Sequence, residues 1–313
     1  MSKKKIAIIG ECMVELSGAI FGEMQQNFGG DTMNTAIYMK KLASERIDVN
    51  YVTVMGEDAL SQAMITRWQD YQVNCDTVLT DSNKHAGLYM IQTDALGERT
   101  FQYWRNDSAA KYLVRHAKFA DIVSQLKAVD AVYLSGISLA ILPIDDCNIL
   151  LNVLADLKVH GVKIIYDSNH RPTLWASQSH CQQSNNRMYQ LADLALVTFE
   201  DEAQIWGFNN LTECREHLHQ QGVRQLVIKT GEKGCQYSEN SHSIVNQYDA
   251  RLVDNVVDTT AAGDSFNAGF LSYWLLDHDI ASCAEAGNLV AGQVIQQRGA
   301  IVPIDNSILN STL

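Results

Sequence analysis

The run Asp258-Thr259-Thr260-Ala261-Ala262-Gly263-Asp264 offers the most concentrated chemistry in this sequence. Phe266, Phe270 and Trp274 follow it at helical spacing, with Leu271 and Leu275 beside them, so a helix is expected to begin near residue 262. The small residues before it let a ligand oxygen approach the free N–H groups of the first turn. Those groups, together with the helix dipole, make an anion site. Asp264 falls in that turn, and spacing leaves two roles open for it. It can be a helix-start residue that stabilises the dipole, or a carboxylate that accepts a proton from an attacking hydroxyl beside a transferred phosphoryl group.

Three further segments carry ligand-type residues. Asn169-His170-Arg171-Pro172 follows the apolar run KIIYDSN, and Pro172 keeps Arg171 extended. Arg171 reads either as a fixed cation in a cleft or as a solvated loop residue. Lys229-Thr230-Gly231-Glu232-Lys233-Gly234 ends another apolar run, and its glycines permit a tight turn close to a ligand, although no Walker A or GxGxxG pattern is present. Gly29-Gly30-Asp31-Thr32-Met33-Asn34 opens a helical pattern, where Gly30 allows close backbone approach and Asn34 brings a donor and an acceptor. The nine histidines form no metal-like pair with a carboxylate, and the seven cysteines show no CxxC spacing.

These groups need a scaffold. Short apolar runs at 5–10, 51–56, 131–136, 163–169, 194–199 and 225–231 alternate with helical patterns at roughly 31–43, 58–71, 145–160, 201–207 and 212–221. Two consecutive helices are expected over about 261–298. This rhythm predicts a mainly parallel sheet covered by helices. Residues 87–105 break it, reading as a hairpin that turns at Asp94-Ala95-Leu96-Gly97 and places Arg99, Phe101, Tyr103 and Arg105 on one face. Such a face is a solvated edge or a small sheet laid over a ligand, with residues 11–25 as its expected partner. The chain has 313 residues, 24 Lys+Arg and 36 Asp+Glu, hence a formal charge of −12. That balance argues against nucleic acid and anionic membranes as partners. The N-terminal apolar run, Ile6 to Ile9, is too short for a signal peptide, which points to a cytoplasmic protein.

In their order, these segments resemble the ribokinase-like (PfkB) carbohydrate kinases along essentially the whole chain. NFGGDTMNTA (27–36) is similar to the family's N-terminal glycine-glycine signature and DTTAAGDSFNAGF (258–270) to its C-terminal one. IGECMVEL (9–16), GERTFQYWRN (97–106), LSGISLAIL (134–142) and RPTLWAS (171–177) resemble the branch that acts on 2-dehydro-3-deoxygluconate. The resemblance implies a three-layer α/β/α domain over 1–313, with lid strands from about 11–25 and 87–105. It implies phosphorylation of the sugar acid's C6 hydroxyl by ATP with Mg²⁺, with room for a monovalent cation, and a homo-oligomer.

It also implies roles for particular residues. Asp264 is the base, and the amides of Ala261, Ala262 and Gly263 form the anion hole. Gly30, Asn34, Tyr89, Tyr103, Arg105 and Arg171 hold the substrate, the two arginines pairing with its carboxylate. Asn169, Lys229, Thr230, Gly231, Glu232, Gly234 and Asn288 line the nucleotide. Two positions depart from the family pattern. Ala261 stands where many members have glycine, and Phe199 stands in the Asn place of an Asn-x-x-Glu motif, which leaves Glu202 as a candidate for magnesium through water. The alternatives are a kinase of the same fold for 2-dehydro-3-deoxygalactonate, fructose, ribose or a nucleoside, and a non-catalytic sugar-acid sensor.

Overall fold

In β1 (Lys4–Ile9), Ile6 and Ile8 enter one apolar cluster while Ala7 and Ile9 enter another. A period-two strand does this when helices cover both faces of its sheet. The computed structural model describes residues 3–93, 99–240 and 244–305, so the expected turn at 94–97 lies outside the described residues. After β1 come β2 (Met13–Gly18), β3 (Met24–Gly29), β4 (Ile47–Gly56), β5 (Val78–Asp81), β6 (Leu88–Thr93) and β7 (Arg99–Trp104). The second half holds β8 (Ala131–Ser135), β9 (Lys163–Asp167), β10 (Leu194–Thr198), β11 (Gln225–Lys229), β12 (Cys235–Glu239) and β13 (Val245–Tyr248).

The large sheet has nine strands in the order β13-β12-β11-β10-β9-β8-β1-β4-β5. From β5 to β11 every pairing is parallel, and the β12–β13 hairpin adds antiparallel strands at one edge. Helices α1 (Asp31–Ala43) and α2 (Ala59–Asp70) cover one face, whereas α3 (Phe119–Leu126), α4 (Gly136–Ala140), α5 (Ile144–Val159), α6 (Gln178–Leu191), α7 (Phe199–Trp206) and α8 (Leu211–Gln220) cover the other. The last two helices, α9 (Ala262–Leu275) and α10 (Ile280–Val294), return to the first face. The result is a three-layer α/β/α architecture.

A second sheet, order β3-β2-β6-β7, stands apart from the first. Residues 11–25, which looked irregular in sequence, supply β2 and the start of β3. β2 runs parallel to β6, placing Glu15 opposite Tyr89, and β6 runs antiparallel to β7, placing Tyr89 opposite Tyr103. The rings of Tyr89, Phe101 and Tyr103 form a ladder, with centroids 5.8 Å apart for Tyr89–Tyr103 and 6.4 Å for Phe101–Tyr103. Among the described residues, no helix is long and apolar enough to cross a membrane.

Candidate active site

Polar side chains converge where β9 and β11 end and where α1 and α9 begin, the strand-end position at which open α/β sheets take ligands. Asp264 lies in the first turn of α9 and accepts a hydrogen bond from Asn34 Nδ2 at 2.8 Å. Thr35 Oγ1 donates to the Asp264 backbone carbonyl at 3.2 Å, a second tie between α1 and α9. Asn34 is buried, and its Oδ1 has no protein partner. That leaves an acceptor for a ligand hydroxyl. Burial, followed by the nearby Asp31 carboxylate, pushes the Asp264 carboxyl from its ordinary 3.8 up to about 7, while the Asn34 bond and Lys229 pull the other way. A carboxylate so tuned can take a proton near neutral pH.

The anion-hole segment has an unusual backbone. Ala261 caps α9 at φ 59°, ψ 17°, a left-handed conformation that usually selects glycine. Asp258 fixes the approach, its two carboxylate oxygens accepting from the Thr260 amide and hydroxyl and from the Gly299 amide. The Ala262 amide turns back to Thr259 O at 3.2 Å, so of the three amides expected at the anion hole this one is already engaged within the turn. A Cβ built on Gly263 would have only Lys229 Nζ within 4 Å, at 3.6 Å, so open space lies above this turn.

Beneath it runs a buried polar network. Lys229 Nζ donates to Asp167 Oδ2 at 2.8 Å and to Asn267 Oδ1 at 3.1 Å. Asn267 Nδ2 donates to the same Asp167 oxygen at 2.6 Å. Asn169, held at φ 30°, donates from its side chain to Asp31 Oδ2 at 2.7 Å and from its amide to Asp167 Oδ1. Asp167, Asn267 and Asp31 are therefore site residues that sequence reasoning did not single out. Asp31 lay within the quoted Gly-Gly motif, Asp167 at the end of its strand, and Asn267 within one turn of Asp264.

The segment expected to line a nucleotide forms a tight turn. The Thr230 amide and hydroxyl donate to Gly234 O at 2.8 and 3.0 Å. Gly231 and Gly234 have φ of 61° and 81°, and a side chain on Gly234 would strike Tyr248 O. Glu232 is exposed on the outside of this turn. Asn288 donates to Tyr248 O at 3.2 Å, tying α10 to the strand that packs on Gly234. All the residues expected at the nucleotide except Glu232 thus belong to connected structure.

The substrate-side residues divide. Gly30 caps α1 and packs so closely on Glu11 that any Cβ would meet its carbonyl at 2.3 Å. Tyr89 is buried and donates its hydroxyl to Glu15, while Tyr103 is about half exposed on the neighbouring strand. Arg105 is buried against the Glu11 carboxylate, its charge already matched. Arg171 is exposed, with Nη1 donating to His170 O at 2.8 Å. Of the two arginines, Arg105 is matched by Glu11, whereas Arg171 is exposed and lies within electrostatic reach of the Asp201 carboxylate.

Glu202 is fully buried in α7 and accepts from the Tyr189 hydroxyl with both carboxylate oxygens, at 2.7 and 2.8 Å, and from Trp206 Nε1. Burial raises its carboxyl to about 7. These contacts tie α7 to α6 and leave both carboxylate oxygens with protein donors, which does not fit a carboxylate open to an ion. Its neighbour Asp201 faces that loop, accepting from the His170 amide at 3.2 Å, and burial followed by Asp167 raises it to about 6. Among the described residues no three or more His, Cys, Asp or Glu side chains gather to hold a metal.

Known proteins share this arrangement of elements. The sequence pattern of "pfkB family carbohydrate kinase" matches residues 3–307. A 2-dehydro-3-deoxygluconokinase from Haemophilus influenzae is 46% identical over 300 residues, covering 96% of each chain. One from Escherichia coli K12 is 42% identical over 306 residues, covering 96% of this chain and 97% of its own. Among solved structures, a 2-dehydro-3-deoxygluconokinase from Thermotoga maritima superposes with a TM-score of 0.82 at 20% identity over 99% of both chains. A putative ribokinase II from E. coli, in complex with ATP and Mg²⁺, gives 0.80 at 17% identity over 96% of this chain and 94% of its own. At those identities the structures speak for the fold alone, whereas the sequence pattern and the full-length relatives reach further: this chain belongs to the pfkB family of carbohydrate kinases.

Proposed function

We propose that this protein transfers the γ-phosphoryl group of ATP to the C6 hydroxyl of 2-dehydro-3-deoxy-D-gluconate. The observation that carries the reading is Asp264, a proton acceptor held by Asn34 in the first turn of α9, beside the open space at Gly263. In the proposed step Asp264 takes the hydroxyl proton, the new O–P bond forms, the bond to the β-phosphate oxygen breaks, and ADP leaves. The Ala261 and Gly263 amides stabilise charge on the transferred group, and the space left by Gly263 receives it. The nucleotide lies along Lys229, the 230–234 turn and Asn169, with Asn288 near the adenine. Magnesium would be carried on the phosphates through water, as the family resemblance implies, and when bound it would neutralise phosphate charge; among the described residues no cluster of three or more ligand side chains gathers to hold it. The four-stranded sheet acts as a lid that excludes water, so phosphoryl transfer goes to sugar.

The named relatives at 42–46% identity support the substrate, and Arg171 offers its carboxylate a cation. One observation favours a second reading, a neutral sugar: Arg105 is already matched by Glu11. A coupled assay for ADP release decides between them. Run with Mg-ATP and 2-dehydro-3-deoxygluconate, its galactonate epimer, fructose, ribose and adenosine, it should show strong preference for the first. Equal use of both epimers would retain the carboxylate site but not the stereochemical assignment. Preference for fructose or ribose would refute the sugar-acid reading.

A further inference from the structure

Glu11 lies between the first strand of the large sheet and the first of the small one, and it is 3% exposed; Arg105, just past β7, is 9% exposed. Glu11 Oε2 accepts from Arg105 Nη2. Each member of the pair retains one buried atom with no protein partner, Glu11 Oε1 and Arg105 Nε. Buried polar atoms are nearly always satisfied, so an ion pair left half complete is one that a ligand finishes. The surroundings are fitted to it. A Cβ on Gly87 would meet Glu11 Oε1 at 2.8 Å and Arg105 Cβ at 3.2 Å, and Gly30, the cap of α1, abuts the Glu11 carbonyl. The pair therefore sits directly behind the helix start that presents Asn34 to Asp264.

We infer that Glu11 is a positioning residue: it anchors Arg105 through Nη2 so that the remaining Nε–H addresses the carboxylate of a sugar-acid substrate. This rests on the sugar-acid reading above and adds to it the residue that makes a neutralised arginine useful. A guanidinium holds several donors in a fixed plane, so anchoring one edge aims the other. Arg105→Ala would leave Glu11, and Glu11→Ala would leave Arg105, as a buried unpaired charge, so each variant is read together with its melting temperature.

The test compares wild type with Glu11→Ala, Glu11→Asp and Glu11→Gln. It measures kcat and KM for 2-dehydro-3-deoxygluconate, its methyl ester and ATP, together with melting temperature. Wild type should prefer acid over ester by about tenfold or more in kcat/KM, the value of one charge-assisted hydrogen bond. Glu11→Ala should raise the sugar-acid KM about tenfold, leave the ATP KM unmoved and erase that preference. Glu11→Gln keeps an acceptor for Nη2 and should stay within about threefold of wild type. A folded Glu11→Ala with unchanged sugar-acid KM overturns the inference, as does a loss confined to melting temperature. Should Glu11→Ala fail to fold, Glu11→Asp decides, since it keeps the charge and shortens the reach; an unchanged sugar-acid KM there overturns it equally. No acid-over-ester preference in wild type would instead sink the sugar-acid reading itself.

Discussion

Replacing Lys229 by methionine removes the cation that shares Asp167 with Asn267 below the anion-hole turn. Lys229 and Asp167 are 7% and 3% exposed, so their attraction is poorly screened and the loss leaves a carboxylate buried with two neutral donors, Asn267 Nδ2 and the Asn169 amide. Breaking such a pair costs about 3–5 kcal/mol. Because both neutral donors remain, the lower end is expected, about 3 kcal/mol, or a fall of roughly 5 °C in melting temperature for a chain of this size. The change also reaches Asp264, the proposed base. Lys229 lowers the proton affinity of Asp264 and Asp167 raises it, so Lys229→Met should move the acid limb of kcat/KM to higher pH and Asp167→Asn should move it lower. Both variants should lose stability while shifting the profile in opposite directions. Thermal unfolding and kcat/KM profiles from about pH 6 to about pH 9 measure the two effects. Profiles that move the same way, or melting temperatures equal to wild type, would refute the reasoning.

Three other outcomes follow from the same turn. Ala261→Gly releases a left-handed alanine, a gain of about 1–2 kcal/mol less about 0.5–1 for the freer unfolded glycine, so denaturant unfolding should show a small net stabilisation. Gly263→Ala meets only Lys229 Nζ at 3.6 Å, so the protein should fold normally while the filled space raises the ATP KM or lowers kcat; unaltered steady-state kinetics would show that the space is not used. Asp264→Asn should slow turnover by roughly 10²–10⁴-fold. The raised Asp264 carboxyl contributes stability that is full below about pH 4 and lost as pH rises through about 7. At pH 8 the asparagine variant should therefore be the more stable by about 2 kcal/mol, allowing for partial exposure, with the gap narrowing below pH 7 and closing by about pH 4 in urea titrations.

The six apolar strand runs and the amphipathic helices were legible because their side chains obey a strong period. Helix α6 was not, since its buried face carries Cys181, Ser184, Asn185, Met188 and Tyr189, and a stripe with two polar residues among five shows no clear apolar period. The edge strands β5 and β13 are four residues long, too short for any pattern to register. At the site, motif residues such as Asp264, Asn34 and Lys229 could be named from sequence, and the structure brings them together. Their partners could not, because Asp167 becomes a site residue only by receiving Lys229 and Asn267 from other elements. Arg105 shows the converse limit: its type suggested an open cation, and only the fold reveals Glu11 beneath it.

The bond between Asn34 and Asp264 joins residues 230 positions apart, and the Val302 amide reaches back to Tyr38 on the same first helix. During synthesis, the early segments emerge first with the face of α1 that α9 will cover still bare. The glycine-rich entry, the lid strands and Asn34 are all present on the ribosome long before the carboxylate that gives them a purpose. A nascent chain stalled before α9 would hold exposed apolar surface and lack Asp264, the proposed base, so on that reading it offers chaperones a client and the cell no partial enzyme. Activity in this protein is thus a late event in the life of each polypeptide, arriving only when its two distant ends close on each other.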